Sequence, residues 1–268
     1  MRIVRFMDDK DQIRYGCNYN NGAADLLEGD LFTGLKETGE SCGVKKLLAP
    51  VVPPAVLGIG LNYHQHAQEN GLDVPRYPVL FMKNPAAVAN PGDPILLPPS
   101  CMETPEVDYE AELAVVIGKA AKDVATAEAL NFVLGYTAAN DVSARRWQGK
   151  RGAGQWVRGK SFDTFCPLGP VLVTADELKD PQNLGLSCVL NGQVMQDANT
   201  SDMIFPVAEL ISYLSTGATL LPGSVILTGT PSGVGFTRKP PVFLMPGDTV
   251  EVTVEGIGTL SNPVELQK

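Results

Sequence analysis

A β-rich α+β fold is predicted by three features of this 268-residue chain. From Val79 onward, short apolar runs such as VLFMK, ILL and SVILTG alternate with Pro and Gly punctuation, the rhythm of strands joined by turns rather than of a doubly wound sheet. Longer helical patterns are few, at residues 124–134 with Asp123 as N-cap, and at residues 207–214, ended by Gly217. The Pro-rich stretch LAPVVPPAV is extended and marks a boundary. It separates a small N-terminal α+β domain, residues 1–50, from a main domain, residues 51–268.

Taken in order, the N-terminal unit offers strands at residues 3–6 and 13–19 around the turn DDKD, then a helix near residues 23–27. Past the boundary, VLGIGLNY reads as a strand and HQHAQENGLDVP as a short helix, capped by Gly71 and stopped by Pro75. Both histidines of the chain, His64 and His66, lie in it. VDYEAELAVVIGK, residues 107–119, reads as a strand passing from a half-exposed to a fully buried environment. GYTAA is a strand leading into NDVSARRWQ, and SVILTG and DTVEVTV return the C-terminal third to strands. No internal repeat or low-complexity tract interrupts this order.

Composition bounds the function. A net charge of −9 argues against nucleic-acid and anionic-membrane partners, which need a basic face. Five widely spaced cysteines without a CxxC favour free thiols over a disulfide framework or a zinc site. The start, MRIVRFMDDK, lacks the apolar core of a signal peptide. No apolar run approaches the ~20 residues of a membrane span. A cytoplasmic protein is the expectation.

Two short patterns fail on context. GQWVRGKS matches the phosphate-loop pattern letter for letter, but polar residues precede it and Pro167 and Pro170 follow, where a P-loop needs a buried strand and then a helix. GESCG fits the nucleophile-elbow pattern without a core strand before it, and both histidines follow too soon for the usual order of triad residues. The sequon at Asn199 has no meaning without secretion.

The carboxylates of the 107–119 strand carry more. Side chains two apart share a strand face, so Asp108, Glu110 and Glu112 project one way, and Val107, Tyr109, Ala111 and Leu113 the other. Like charges in a row need either open solvent or a cation, and a hard divalent ion suits oxygen ligands. A solvated sheet face and a metal site both satisfy the pattern. His66 and Glu69 stand three apart on the expected helix and share a face. They are either an incidental surface pair or an imidazole oriented by a carboxylate to move a proton. Asp141 in NDVSARRWQ, Lys160 in GKSFDTFCPLGP and the glycine-rich TGTPSGVG add an acid, a base and an anion-facing turn.

GLNYHQHAQE, DYEAELAVVIGK, NDVSAR with its following Gln, GKSFDTFCPLGP, LNG, VILTGTPSGVG and KPPVFLMPGD stand in one order over about residues 55 to 265. Together they resemble the fumarylacetoacetate hydrolase family, in its smaller members with a short N-terminal domain. The resemblance implies a mixed, curled β-sandwich roll, a homodimer, and a divalent metal (Mg²⁺ or Mn²⁺, with Ca²⁺ as a further option) held by Glu110, Glu112 and Asp141. It places the catalytic dyad at His66 and Glu69 on a mobile lid, residues 64–75, and substrate contacts at Arg145, Gln148, Lys160 and Thr230. Asp108 falls outside the metal shell. Arg146 departs from the family pattern, which has an acidic residue there, and adds positive charge near the mouth.

A 2-oxo acid is the natural ligand of such a metal, which stabilises its enolate. Lys160 adds a fixed positive charge beside the developing oxyanion. The leading expectation is hydrolytic C–C cleavage of a 2,4-dioxo acid of the acylpyruvate or fumarylpyruvate type, with His66 activating water. Decarboxylation of oxaloacetate and keto–enol tautomerisation or isomerisation use the same site and form the alternative. A metal-dependent binding protein without turnover is the third reading.

Overall fold

Residues 1–50 are strands throughout. In the computed structural model, which describes residues 1–268, they form β1 (Arg2–Met7), β2 (Ile13–Asn20), β3 (Ala23–Asp30), β4 (Gly34–Gly43) and β5 (Lys46–Leu48). The helix expected near residues 23–27 is therefore wrong, and the N-terminal unit has no helix. Asn21 and Gly22 explain it, with φ of +47° and +77°, the left-handed pair of a two-residue type I′ hairpin turn. That turn sets Ala23 opposite Asn20, so AADLL becomes a strand whose Ala24 and Leu27 are buried.

Beyond the boundary come β6 (Val56–Gly60), α1 (His64–Glu69), β7 (Val79–Lys83), β8 (Val88–Ala89), β9 (Ile95–Leu97) and α2 (Pro99–Met102). The centre of the chain supplies β10 (Val107–Asp108), β11 (Ala111–Ile117), β12 (Val133–Asn140), β13 (Ser143–Ala144), α3 (Arg145–Gln148) and α4 (Val157–Lys160). The remainder holds β14 (Cys166–Thr174), β15 (Gly185–Leu190), β16 (Gln193–Asn199), α5 (Val207–Ser215), β17 (Val225–Leu227), β18 (Thr249–Val254) and β19 (Gly258–Leu266). The sheet-dominated α+β fold expected from the sequence is what the chain adopts.

One twelve-stranded mixed sheet runs β4-β3-β2-β1-β14-β12-β11-β17-β6-β7, with β5 on β1 and β8 on β14. A second sheet runs β16-β15-β18-β19-β9, and β10 pairs with β13 alone. Between the two larger sheets lies the main core, where Val115 and Tyr136 of the first meet Leu186, Val252 and Leu260 of the second, with Ile211 of α5. The other face of the first sheet buries Ala114, Val116, Leu168 and Val225 against Leu27 and Val51. Strand β11 is thus buried on both faces, which accounts for its unbroken apolar run.

Two expectations change here. The 107–119 segment is buried from Val107 to Ile117 rather than half-exposed at its start, with Lys119 at its far end exposed. It is also two strands, because pairing lapses at Tyr109 and Glu110 between β10 and β11. The helix expected over residues 124–134 is a 3₁₀ stretch, Thr126–Phe132, and Val133 already belongs to β12. Asp123 has φ of +52°, not the extended backbone of an N-cap, and its Oδ1 instead accepts from the Gly217 N–H at 2.7 Å. By contrast, α5 falls where the 3.6-residue pattern placed it, and its Val207, Leu210, Ile211 and Leu214 are buried. Gly71, φ +63°, closes α1 as expected.

Candidate active site

The antiparallel pairing of β11 with β12 sets Ala111 opposite Asn140, and the Asp141 N–H donates to the Glu110 carbonyl at 2.8 Å. This register brings Asp141 to the end of β11 that carries Glu110 and Glu112. The three carboxylates have ligand oxygens within 4.8 Å of one another, and all are buried. The solvated-face reading of these residues is thereby excluded. Asp108 is turned away, with Oδ1 accepting from Tyr109 N and Gly235 N, at 2.9 and 2.8 Å, and Oδ2 accepting from Arg145 and Phe236 N.

Three cations are set among these four acids. Lys160 Nζ donates to Glu110 Oε2 at 2.7 Å and to Asp141 Oδ2 at 2.5 Å. Lys83 Nζ donates to Asp141 Oδ1 at 2.5 Å and to the Val142 carbonyl at 3.1 Å. Arg145 forks between Asp108 Oδ2, 2.7 Å, and Glu110 Oε1, 2.6 Å, with Gln148 Oε1 at 3.1 Å. Burial by itself pushes the Glu110 carboxyl up, but Lys160 and Arg145 beside it hold it well below the usual carboxylate range. Glu112 differs. Its hydrogen bond is to the Gly229 N–H, 2.6 Å, and burial, followed by the negative charges of Asp141 and Glu110, pushes its carboxyl well up.

The donor set fits a hard divalent cation: three convergent buried carboxylates, one of them lacking any cationic partner. A divalent ion held there would supply the positive charge that Glu112 lacks.

Beside this cluster opens a cavity of about 280 Å³ lined by His66, Asn70, Glu110, Arg145, Gln148, Lys160 and Thr230. Apolar residues, among them Ile59, Phe81 and Trp156, complete its wall. His66 Nδ1 lies 3.1 Å from Glu69 Oε2, so the pair is an oriented dyad facing a cavity. Glu69 is fixed in turn, its Oε1 accepting from Gly233 N and Thr237 Oγ1, at 3.0 and 2.8 Å. Burial works to raise the Glu69 carboxyl, but its hydrogen bonds from His66, Thr237 and Gly233 prevail and lower it. Thr230 Oγ1 accepts from Gln196 Nε2 at 2.8 Å, which leaves its O–H free to donate into the cavity.

All nine residues singled out in the sequence lie in this one region. Arg146 needs correcting: its guanidinium is paired with Glu106 at 2.8 Å, and it does not line the cavity. That buried carboxylate cancels the charge expected at the mouth. Lys83, Gln196, Phe81 and Trp156 were missed. Alternation in VLFMK, with Phe81 and Lys83 buried and Leu80 and Met82 exposed, was the available signal for Lys83, a charge at an inward position.

Residues 55–265 match the family described as Fumarylacetoacetate (FAA) hydrolase C-terminal. The chain belongs to this family. Residues 1–50 match the family described as Rv2993c-like, N-terminal. Among curated relatives, oxaloacetate tautomerase fahd2, mitochondrial, of Xenopus laevis is 50% identical over 219 residues, 81% of this chain and 68% of that protein. Oxaloacetate tautomerase FAHD2A, mitochondrial, of Homo sapiens is 49% identical over 218 residues, with the same coverage. Among solved structures, 5-carboxymethyl-2-hydroxymuconate delta-isomerase from Mycobacterium smegmatis superposes with a TM-score of 0.86 at 41% identity, over 100% of both chains. The fumarylacetoacetate hydrolase family member is thus an enzyme of a group whose named relatives include tautomerases and isomerases. The cytoplasmic expectation finds no support in the mitochondrial names of the curated relatives.

Proposed function

We propose that this enzyme interconverts the keto and enol forms of a short 2-oxo acid, with oxaloacetate as the first candidate. This replaces C–C hydrolysis as the leading reading. The names of the relatives support the change, since oxaloacetate and the 2-hydroxymuconate skeleton both carry a carboxylate next to an oxygen-bearing C2, and both reactions only move protons. One observation carries the proposal: the His66–Glu69 dyad opens on the same small cavity as Lys160, Arg145, Gln148 and Thr230.

The chain's residues divide the work. Glu110, Glu112 and Asp141 would hold the divalent ion, which when bound would supply Lewis-acid polarisation of the 2-oxygen and so make the C3 protons more acidic. Thr230 O–H and the Gln148 amide N–H donate to the substrate carboxylate, and Arg145 holds Gln148 in place. Lys160, between Glu110 and Asp141, faces the 2-oxygen and offsets the negative charge that develops there. His66, its Nδ1 turned to Glu69, takes the proton from C3 on its other nitrogen and the imidazolium then gives it up to the 2-oxygen, directly or through a water, so that the enol forms with His66 restored; ketonisation reverses both transfers. The apolar wall limits bulk water around the enol. We also assign a homodimer to the working enzyme, on the family resemblance, and light scattering of the purified protein tests it.

Hydrolysis of acylpyruvates remains a second reading because the same apolar wall would receive an acyl tail. Both are tested by following the enol's ultraviolet absorbance in freshly dissolved oxaloacetate, with and without Mg²⁺, while pyruvate is measured in parallel. Accelerated enol decay without pyruvate supports tautomerisation. Pyruvate from oxaloacetate indicates decarboxylation, and cleavage of acetylpyruvate indicates hydrolysis. Inertness toward all of them defeats the proposal.

A further inference from the structure

The apolar wall of the cavity is built on two glycines. A Cβ placed on Gly60 would stand 2.3 Å from Trp156 Cζ3, and one on Gly58 would stand 2.2 Å from Phe81 Cζ. Neither glycine has positive φ, so backbone conformation does not require them; the rings do. Glycine inside a strand costs roughly 0.5–1 kcal/mol, and β6 carries two on one face. The two rings lean on each other, with centroids 5.6 Å apart, and Lys160 Nζ lies 4.9 Å from the Phe81 centroid. The wall therefore stands against the ammonium that faces the substrate.

Behind the wall lies a second, outer groove lined by Leu80, Met82 and Val157, and Val79, Phe81 and Trp156 border both spaces. The groove is larger than the cavity, about 480 against 280 Å³. Phe81 comes from β7, where it and Lys83 are buried. Trp156 comes from the turn before α4 and is only partly buried.

We infer that Trp156, seated on Gly60 and closed by Phe81, is the specificity-determining wall that restricts this enzyme to short 2-oxo acids. The inference rests on the 2-oxo acid reading above. The polar side, Arg145, Gln148, Lys160 and Thr230, takes the head common to all 2-oxo acids, and the indole stops the tail from entering the outer groove.

The test is a length series: oxaloacetate and acylpyruvates with progressively longer acyl groups, each with Mg²⁺, on the wild type, Trp156→Ala and Trp156→Phe. The expected result is a shift in kcat/KM preference toward long acids of on the order of 10-fold or more in Trp156→Ala, with Trp156→Phe in between. Trp156→Leu, which keeps an apolar group over Gly60, serves if the alanine variant does not fold. Fluorescence gives a second readout. The chain has two tryptophans, so in a Trp147→Phe background acid binding reports on Trp156 alone, and short acids should quench it more tightly than long ones. Turnover or binding with an unchanged length preference in the Trp156 variants overturns the wall while the functional reading stands. Failure of the wild type to bind or turn over any member of the series overturns the functional reading, and the wall with it.

Discussion

Two buried acids in this site show how neighbours set a side chain's task. Glu110 is surrounded by Lys160 and Arg145, which hold its carboxyl below the usual range; Glu112, two residues away on the same strand face, has no cation in contact and hydrogen-bonds one backbone N–H beside the acids Asp141 and Glu110. The sequence shows both as glutamates in an apolar run, and the metal reading needs just this contrast: one residue held negative, the other waiting for a cation. His66 is legible in the same way, through its spacing from Glu69. Its replacement by Ala removes the proton-moving group but none of the carboxylates, and the expected loss in turnover is about 10²–10⁴-fold. Calorimetric titration with Mn²⁺ should give an affinity close to wild type in His66→Ala. An equal loss of metal affinity would place His66 among the ligands instead.

At the scale of elements, legibility follows locality. The 3.6-residue pattern found α5, and Gly71 marked the end of α1, because each signal lies within a turn or two of the structure it causes. The segment 124–134 carries a helical pattern, yet Val133 is claimed by β12, and pairing with β11 cannot be seen locally. AADLL differs, because its strand state does have a local signal in Asn21–Gly22, a hairpin-turn pair. Asp108 belongs to this scale. It is an acid at the end of β10 that ties Arg145 of α3 to the N–H groups of Gly235 and Phe236 in the glycine-rich segment. Arg145 also lies 4.3 Å from the Phe236 ring centroid. Removing Asp108 leaves Arg145 with Glu110 as its one carboxylate partner and takes the acceptor from the Gly235 and Phe236 N–H groups, so Asp108→Ala should lower stability by about 2–4 kcal/mol. Urea unfolding of the metal-free protein measures it. A cost within the range of an exposed substitution, about 0.5 kcal/mol, would show that the segment is held by other contacts.

For the whole molecule, the balance of charge at the centre governs stability. Asp108, Glu110, Glu112 and Asp141 face Lys83, Arg145 and Lys160, and the surplus negative charge rests on Glu112. A carboxyl raised in the folded state binds its proton more tightly than in the unfolded chain. Its contribution is therefore favourable at low pH and is lost as pH rises through the folded value. On the metal-site reading a divalent ion would remove that penalty, because it would bind the folded arrangement and not the open chain. At a free concentration one hundred times Kd it adds about 2.7 kcal/mol, on the order of 5–10 °C in Tm for a chain of this length. The gain should grow as pH rises through the raised folded value of Glu112, since the ion then has less of that proton to displace. Scanning calorimetry of EDTA-stripped protein, with and without Mg²⁺ or Mn²⁺, measures both effects, and Glu112→Gln is the control. That variant should melt at or above the stripped wild type, having lost an unpaired buried charge, and should gain little from the ion. Equal stabilisation of the variant would mean that the ion is bound elsewhere, and the three carboxylates would then be a structural cluster rather than a metal centre.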